Sequence, residues 1–163
     1  MKVADICTRE VVATDRTSSL QQAAALMREH HVGSLVVIGG SSVVGIVTDR
    51  DMVVEAVARG LDATQTEIGR FADGKLAAIP AGASIDEAIA MMKKRGVRRL
   101  LVAADGGQLY GIVSMDDLLD ALVHEMSDMA HAVRGGIERE ATERAPLPAA
   151  RPVTARIPEY SFE

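Results

Sequence analysis

The sequence predicts an α/β (α+β) fold: two copies of one strand–helix–strand–strand–helix unit, packed face to face about a pseudo-twofold axis. Three observations lead to it. The heptapeptide Gly-Ile-Val-hydroxyl-x-x-Asp occurs twice, at Gly45–Asp51 and Gly111–Asp117, 66 residues apart. Upstream of each copy the same patterns recur in the same order at an offset of 65: helical apolar spacing, a β-rich run, a turn. Each unit, at roughly 60 residues, is too short to bury a good core alone, so two must share one.

The first repeat is placed at residues 1–60 and the second at 66–126. After a short opening strand, each begins its first helix with a capping box, Ser19 with Gln22 and Ser84 with Glu87. Leu20, Ala23, Ala24 and Met27 follow at helical spacing, and Ile85, Ala88, Ile89 and Met92 repeat them. Gly33 and Gly96 mark the region where these helices should stop. The β-rich runs "SLVVI" and "RLLVA" come next. The turns "GGSS" (39–42) and "ADGGQ" (104–108) absorb the change of offset from 65 to 66. The runs "VVGIVT" and "LYGIVS" lead into "DRDMVVEAVARG" and "MDDLLDALVHEM", which read as helices. Residues 127–163 form a C-terminal extension. Gly135 and Gly136 are expected to break the helical pattern. Pro146, Pro148, Pro152 and Pro158 make the remainder Pro-rich. Tyr160 and Phe162 are its candidate anchors on a neighbouring subunit.

Composition narrows the function classes. Hydrophobic residues are 48% of the chain but aromatics only 2%, so the core must be Val, Leu, Ile, Ala and Met. A net charge of −5 argues against nucleic acid as the main partner. Cys7 is the one cysteine, so no internal disulfide can form and a reducing compartment fits. The opening "MKVADICTRE" lacks a signal-peptide core, and no apolar run approaches membrane-spanning length. The expectation is a cytoplasmic protein with no membrane insertion.

The tandem pattern resembles a pair of CBS domains, regulatory modules named after cystathionine β-synthase. The resemblance covers about residues 2–125. It rests on the opening "VADICTREVVAT" (3–14), the strand–turn–strand core and the doubled G-h-h-[TS]-x-x-D motif. Cys7 stands where the family usually has Met, and the second opening, "IGRFADGKLAAI" (68–79), lacks the usual Thr.

The resemblance implies a non-catalytic sensor of an adenosine-containing ligand (AMP, ADP, ATP or S-adenosylmethionine) held in clefts between the repeats. It implies ribose contacts from Asp51 and Thr48 at one site and from Asp117 and Ser114 at the other. Val12, Ala77, Ile46 and Ile112 would form the adenine pockets. One carboxylate can accept from both ribose hydroxyls, and a helix N-terminus keeps it charged. The same residues also read as plain capping boxes, although Ser19 and Ser84 pair with the longer Gln and Glu. Arg98 and Arg99 stand where the first repeat has Gly33 and Ser34. Their planar forks suit a phosphate chain, so two unequal sites are expected, although "MKKRGVRR" also reads as a solvated basic helix end.

Family members of this kind commonly pair as homodimers through their helices, here 51–58 and 116–123, and signal to a separate protein partner. The alternative is a structural dimerisation module with no ligand. An enzyme is not expected. Cys7 has no neighbouring base, and there is no P-loop, GxSxG or dinucleotide fingerprint. Neither His30 with His31 nor His124 with His131 completes a metal set, so no metal is expected.

Overall fold

The computed structural model describes residues 1–72 and 76–144. The four clustered prolines, Tyr160 and Phe162 lie outside the described residues. The described chain falls into two units, Met1–Leu122 and a second beginning at Val123.

Two three-stranded sheets organise the first unit. One orders β1 (Ala13–Asp15), β2 (Ser34–Gly39) and β3 (Ser42–Thr48); the other orders β4 (Ala78–Pro80), β5 (Arg99–Ala103) and β6 (Leu109–Ser114). In each sheet the first pairing is parallel and the second antiparallel, as a strand–helix–strand–strand unit requires. A register shift falls between Val37 and Ile38, and again between Val102 and Ala103, the equivalent place.

The cores show how the copies meet. Leu20, Ala23, Met27, Leu35, Val37 and Val47 anchor one cluster, and Ile85, Ala88, Met92, Leu100, Val102 and Val113 anchor its counterpart. A third cluster joins Val36, Ile46 and Leu101, with Ile112 packed against them. Val36 is the equivalent of Leu101, and Ile46 of Ile112. Residues touching their own equivalents are what a pseudo-twofold axis produces.

The packing units are not the sequence repeats. Short helix α1 (Val3–Ile6) docks on the second copy, with Val3 N–H donating to Ala83 O at 2.9 Å and Val3 buried in the second core. Thr8 then pairs both ways with Ile112 in β6, each bond 2.9 Å. Reciprocally, Ile68 and Ala72 of short helix α4 (Gly69–Ala72) and its approach belong to the first core.

The first long helices are α2 (Leu20–His30) and α5 (Ile85–Arg95), both started by the expected boxes. Ala24, expected on the buried face, is exposed, because Leu26 packs toward the core instead. The first helix ends on His31, not at Gly33. His31 is left-handed at φ 53°, the conformation Gly96 takes at the equivalent place with φ 65°. A side chain there costs about 1–2 kcal/mol, and glycine's extra freedom when unfolded returns roughly 0.5–1 kcal/mol of that relief. His31→Gly is therefore expected to stabilise the chain by about 0.5–1 kcal/mol in urea unfolding.

The second long helices differ. The first copy has α3 (Asp49–Asp51), which continues as a π-helical stretch, Met52–Val57. The second copy has α6 (Met115–Glu143), which runs through Gly135 and Gly136 without a break. The expected break fails because neither glycine has positive φ. Each costs only about 1 kcal/mol within a helix rich in Ala, Glu and Arg. No helix among the described residues is long and apolar enough to cross a membrane.

Candidate functional site

Each motif lies where a strand becomes a helix. β3 ends at Thr48, the N-cap of α3, whose hydroxyl oxygen accepts the Asp51 N–H at 3.1 Å. Asp51 Oδ2 in turn accepts the Thr48 N–H at 2.9 Å and its hydroxyl at 2.8 Å. Ser114 and Asp117 repeat this with 2.7 Å and 2.6 Å to Oδ2 and 3.2 Å back to the Ser hydroxyl. Both aspartates thus cap their helices, as the simpler reading of the motif expects. Capping also fixes where each carboxylate sits, since two hydrogen bonds to Oδ2 hold one rotamer.

The glycine that opens each motif has its own cause. A Cβ on Gly111 would lie 2.5 Å from Thr8 O and 3.2 Å from Cys7 Sγ. One on Gly45 would strike Ala72 O. The swapped segments therefore cross directly over β3 and β6 at the start of each motif. Burial pushes the Cys7 thiol above its ordinary value; Arg9 opposes this, and Asp117 and Asp5 add to it. A thiol held protonated is a poor nucleophile.

Thr48 and Asp51 line a cleft of about 610 Å³ between the two repeats, within the usual range for a small-molecule site. Of the residues singled out in the sequence, Ile46, Thr48, Asp51, Ala77, Arg98 and Arg99 meet here. Val12, Ile112, Ser114 and Asp117 do not line it. Val12 packs on the first core, and Ile112 on the cluster between the sheets. The β5–β6 ladder sets Arg99 opposite Ser114, while the packing of the repeats turns Arg98 and Arg99 toward Asp51.

The cleft also contains Asp49, Arg50 and Arg95, which the sequence did not single out. Arg50 fills a variable slot of the motif, and Arg95 ends α5 as an ordinary helix-terminal cation. Four guanidiniums, of Arg50, Arg95, Arg98 and Arg99, face two carboxylates, of Asp49 and Asp51, a local balance of +2 on a chain of −5. Among the described residues none of the four arginines forms an ion pair. The walls are Ile46, Leu76, Ala77 and Val97. A cleft with apolar walls and a surplus of guanidiniums suits a ligand that joins a flat apolar ring to a multiply charged anion. No group of three or more His, Cys, Asp or Glu suited to a metal occurs among the described residues.

Comparison with known proteins agrees with this architecture. Hypoxic response protein 1 of Mycobacterium tuberculosis is 35% identical over 115 residues, covering 70% of this chain and 80% of the relative. An uncharacterized protein of Methanopyrus kandleri is 30% identical over 120 residues, 73% of this chain; the match spans only 61% of that longer relative. The crystal structure of Hypoxic Response Protein I with two coordinated zinc ions superposes with a TM-score of 0.65 at 33% identity, covering 74% of this chain and 98% of that one. A CBS domain protein of Pyrobaculum aerophilum complexed with AMP has the same fold, with a TM-score of 0.68 at 22% identity over 78% of this chain and 99% of that one. The family model for the CBS domain matches twice, at residues 3–57 and 68–124. The chain belongs to the CBS-domain family and carries two of these domains in tandem.

Proposed function

We propose that the protein is a non-catalytic regulatory module that binds an adenosine-containing ligand in the cleft between its CBS domains and signals through conformation or oligomeric state. The observation that carries this is the cleft's composition: Thr48 and Asp51 stand beside four arginines and an apolar wall. Asp51 and Thr48 would hold the ribose, Ile46 and Ala77 the adenine, and Arg98 and Arg99 the phosphates. Arg50 and Arg95 extend the same cationic surface. That the fold accommodates AMP in the Pyrobaculum protein supports the reading. Among AMP, ADP, ATP and S-adenosylmethionine, this surface favours the phosphorylated ligands, and longer chains over shorter, because each added phosphate meets another guanidinium. Ser114 and Asp117, with Val12 and Ile112, would form the unequal second site.

A ligand shifts an equilibrium only by its differential affinity for the two states. A site built from both repeats meets that need, because closing the repeats changes every distance across it. The module would act in the cytoplasm as a homodimer, passing its state to a separate protein partner. One observation favours the alternative of a structural module with no ligand: both motif aspartates already serve their own caps.

A thermal-shift panel of AMP, ADP, ATP, S-adenosylmethionine and NAD separates the two readings. Ligand at a hundred times its Kd stabilises by about 2.7 kcal/mol, so ATP or ADP should raise Tm by several degrees and S-adenosylmethionine by less. No shift with any of the five would leave only the structural module.

A further inference from the structure

From Val123 to Ile137, α6 carries an apolar stripe that the nucleotide cleft does not use. Val123, Met126, Ala130, Val133 and Ile137 succeed one another at spacings of 3, 4, 3 and 4 residues. Four of them, together with Met129 beside the seam, are exposed by 61–69%. Asp128 and His131 lie on other sides of the helix, so the face is narrow and one-sided.

We infer that this stripe is the seam of a two-stranded helical pair with a second copy of the chain. Three features select that occupant. The 3-4-3-4 spacing is the heptad pattern by which helices pair along a seam, and β-branched Val123 and Ile137 take the position that favours two strands. Ala130, between them on the same line, lets two backbones approach closely. The stripe is self-complementary, containing no charge from Val123 to Ile137, so a twofold axis sets like against like without repulsion. Finally, the five exposed side chains offer about 600 Å² per copy, so two copies bury about 1,200 Å², the lower end of a stable specific interface. Left uncovered, the same area would be at the upper limit of what a monomer shows. The pairing is a property of the extension and does not depend on the nucleotide reading.

Sedimentation velocity on the full chain tests it, with M126E/V133E as the disrupting variant. The parent chain should be a dimer at micromolar concentration. The variant, which buries four carboxylates in the seam, should dissociate at least about a hundredfold more readily. Unchanged helical circular dichroism would show that the fold survives. Because a helix could melt, a second pair of variants decides independently. A130C should form an intermolecular disulfide under mild oxidation in high yield, and D128C, on the opposite face, should not; Cys7 is common to both. A monomeric parent chain overturns the inference. So does a dimer whose dissociation constant is unchanged in M126E/V133E, or A130C crosslinking no better than D128C. The first result would also arise if the chain's own residues 145–163 covered the stripe.

Discussion

Replacing Arg98 and Arg99 together by Ala is expected to weaken ATP binding by about a hundredfold or more while leaving adenosine within about twofold. Each charge-assisted hydrogen bond to phosphate contributes about 1.5–3 kcal/mol, and solvent at the cleft mouth reduces that, because Arg98 is exposed and Arg99 half-buried. Two such losses at the lower end still give about 3 kcal/mol, a little over a hundredfold. Adenosine carries no phosphate, so it reports whether the rest of the cleft is intact. Asp51→Ala should behave in the opposite way: adenosine and ATP should both weaken by about ten- to a hundredfold, since both carry the ribose. That variant also loses a cap, which costs about 0.5–2 kcal/mol of stability. Ser84→Ala, which loses a cap of the same kind and belongs to neither site, supplies the correction. Isothermal titration of the three variants with the two ligands therefore separates phosphate, ribose and folding contributions. Equal loss of adenosine and ATP in the double arginine variant would remove Arg98 and Arg99 from the phosphate role.

Much of this architecture is legible in the chain because it is local. Capping boxes at Ser19 and Ser84, the apolar faces behind them and the paired β-runs each occupy a few neighbouring residues, and a second copy doubles every signal. The change of offset falls in the turn that follows the shared register shift, where length is free to vary. Contacts between copies leave no such trace. Nothing in "VADIC" tells that Val3 lies in the second core, because it is its partner far along the chain that makes it buried. Arg95 shows the same limit within the site. At the end of α5 it is an unremarkable cation until the packing of the repeats brings the motif of the other copy to face it. The continuation of α6 through Gly135 and Gly136 is hidden for a different reason: glycine's local penalty is weak, and the favourable residues on both sides outweigh it.

The first residue of the repeated motif carries the largest structural effect. Gly111→Ala is expected to destabilise the protein by about 2–4 kcal/mol in urea unfolding. The new methyl would lie 2.5 Å from Thr8 O, closer than any relaxed contact, and a tight 3.3 Å from Thr8 C. Flexible side chains move cheaply, but this obstacle is backbone, and it is fixed twice. Thr8 donates to Ile112 O and accepts from Ile112 N–H, each at 2.9 Å, so retreat breaks two hydrogen bonds beside the mutated residue. Retreat also pulls on Val3, fully buried in the second core, and on its bond to Ala83. Amide exchange should therefore accelerate at residues 3–8 before it does so in β5. Gly45→Ala should act the same way through Ala72 O and loosen α4 from the first core. Gly82→Ala is the contrast: nothing lies within 4 Å of its added methyl and its φ is not left-handed, so it should be neutral or stabilising by up to about 1 kcal/mol. If Gly111→Ala and Gly45→Ala both stayed within about 0.5 kcal/mol of the parent, the swapped segments would not be held against β3 and β6. If they fall as expected, the motif divides by physical cause. Its glycine lets the neighbouring repeat's first segment cross, and its hydroxyl and Asp fix a helix start whose carboxylate, in the first copy, faces the cationic cleft.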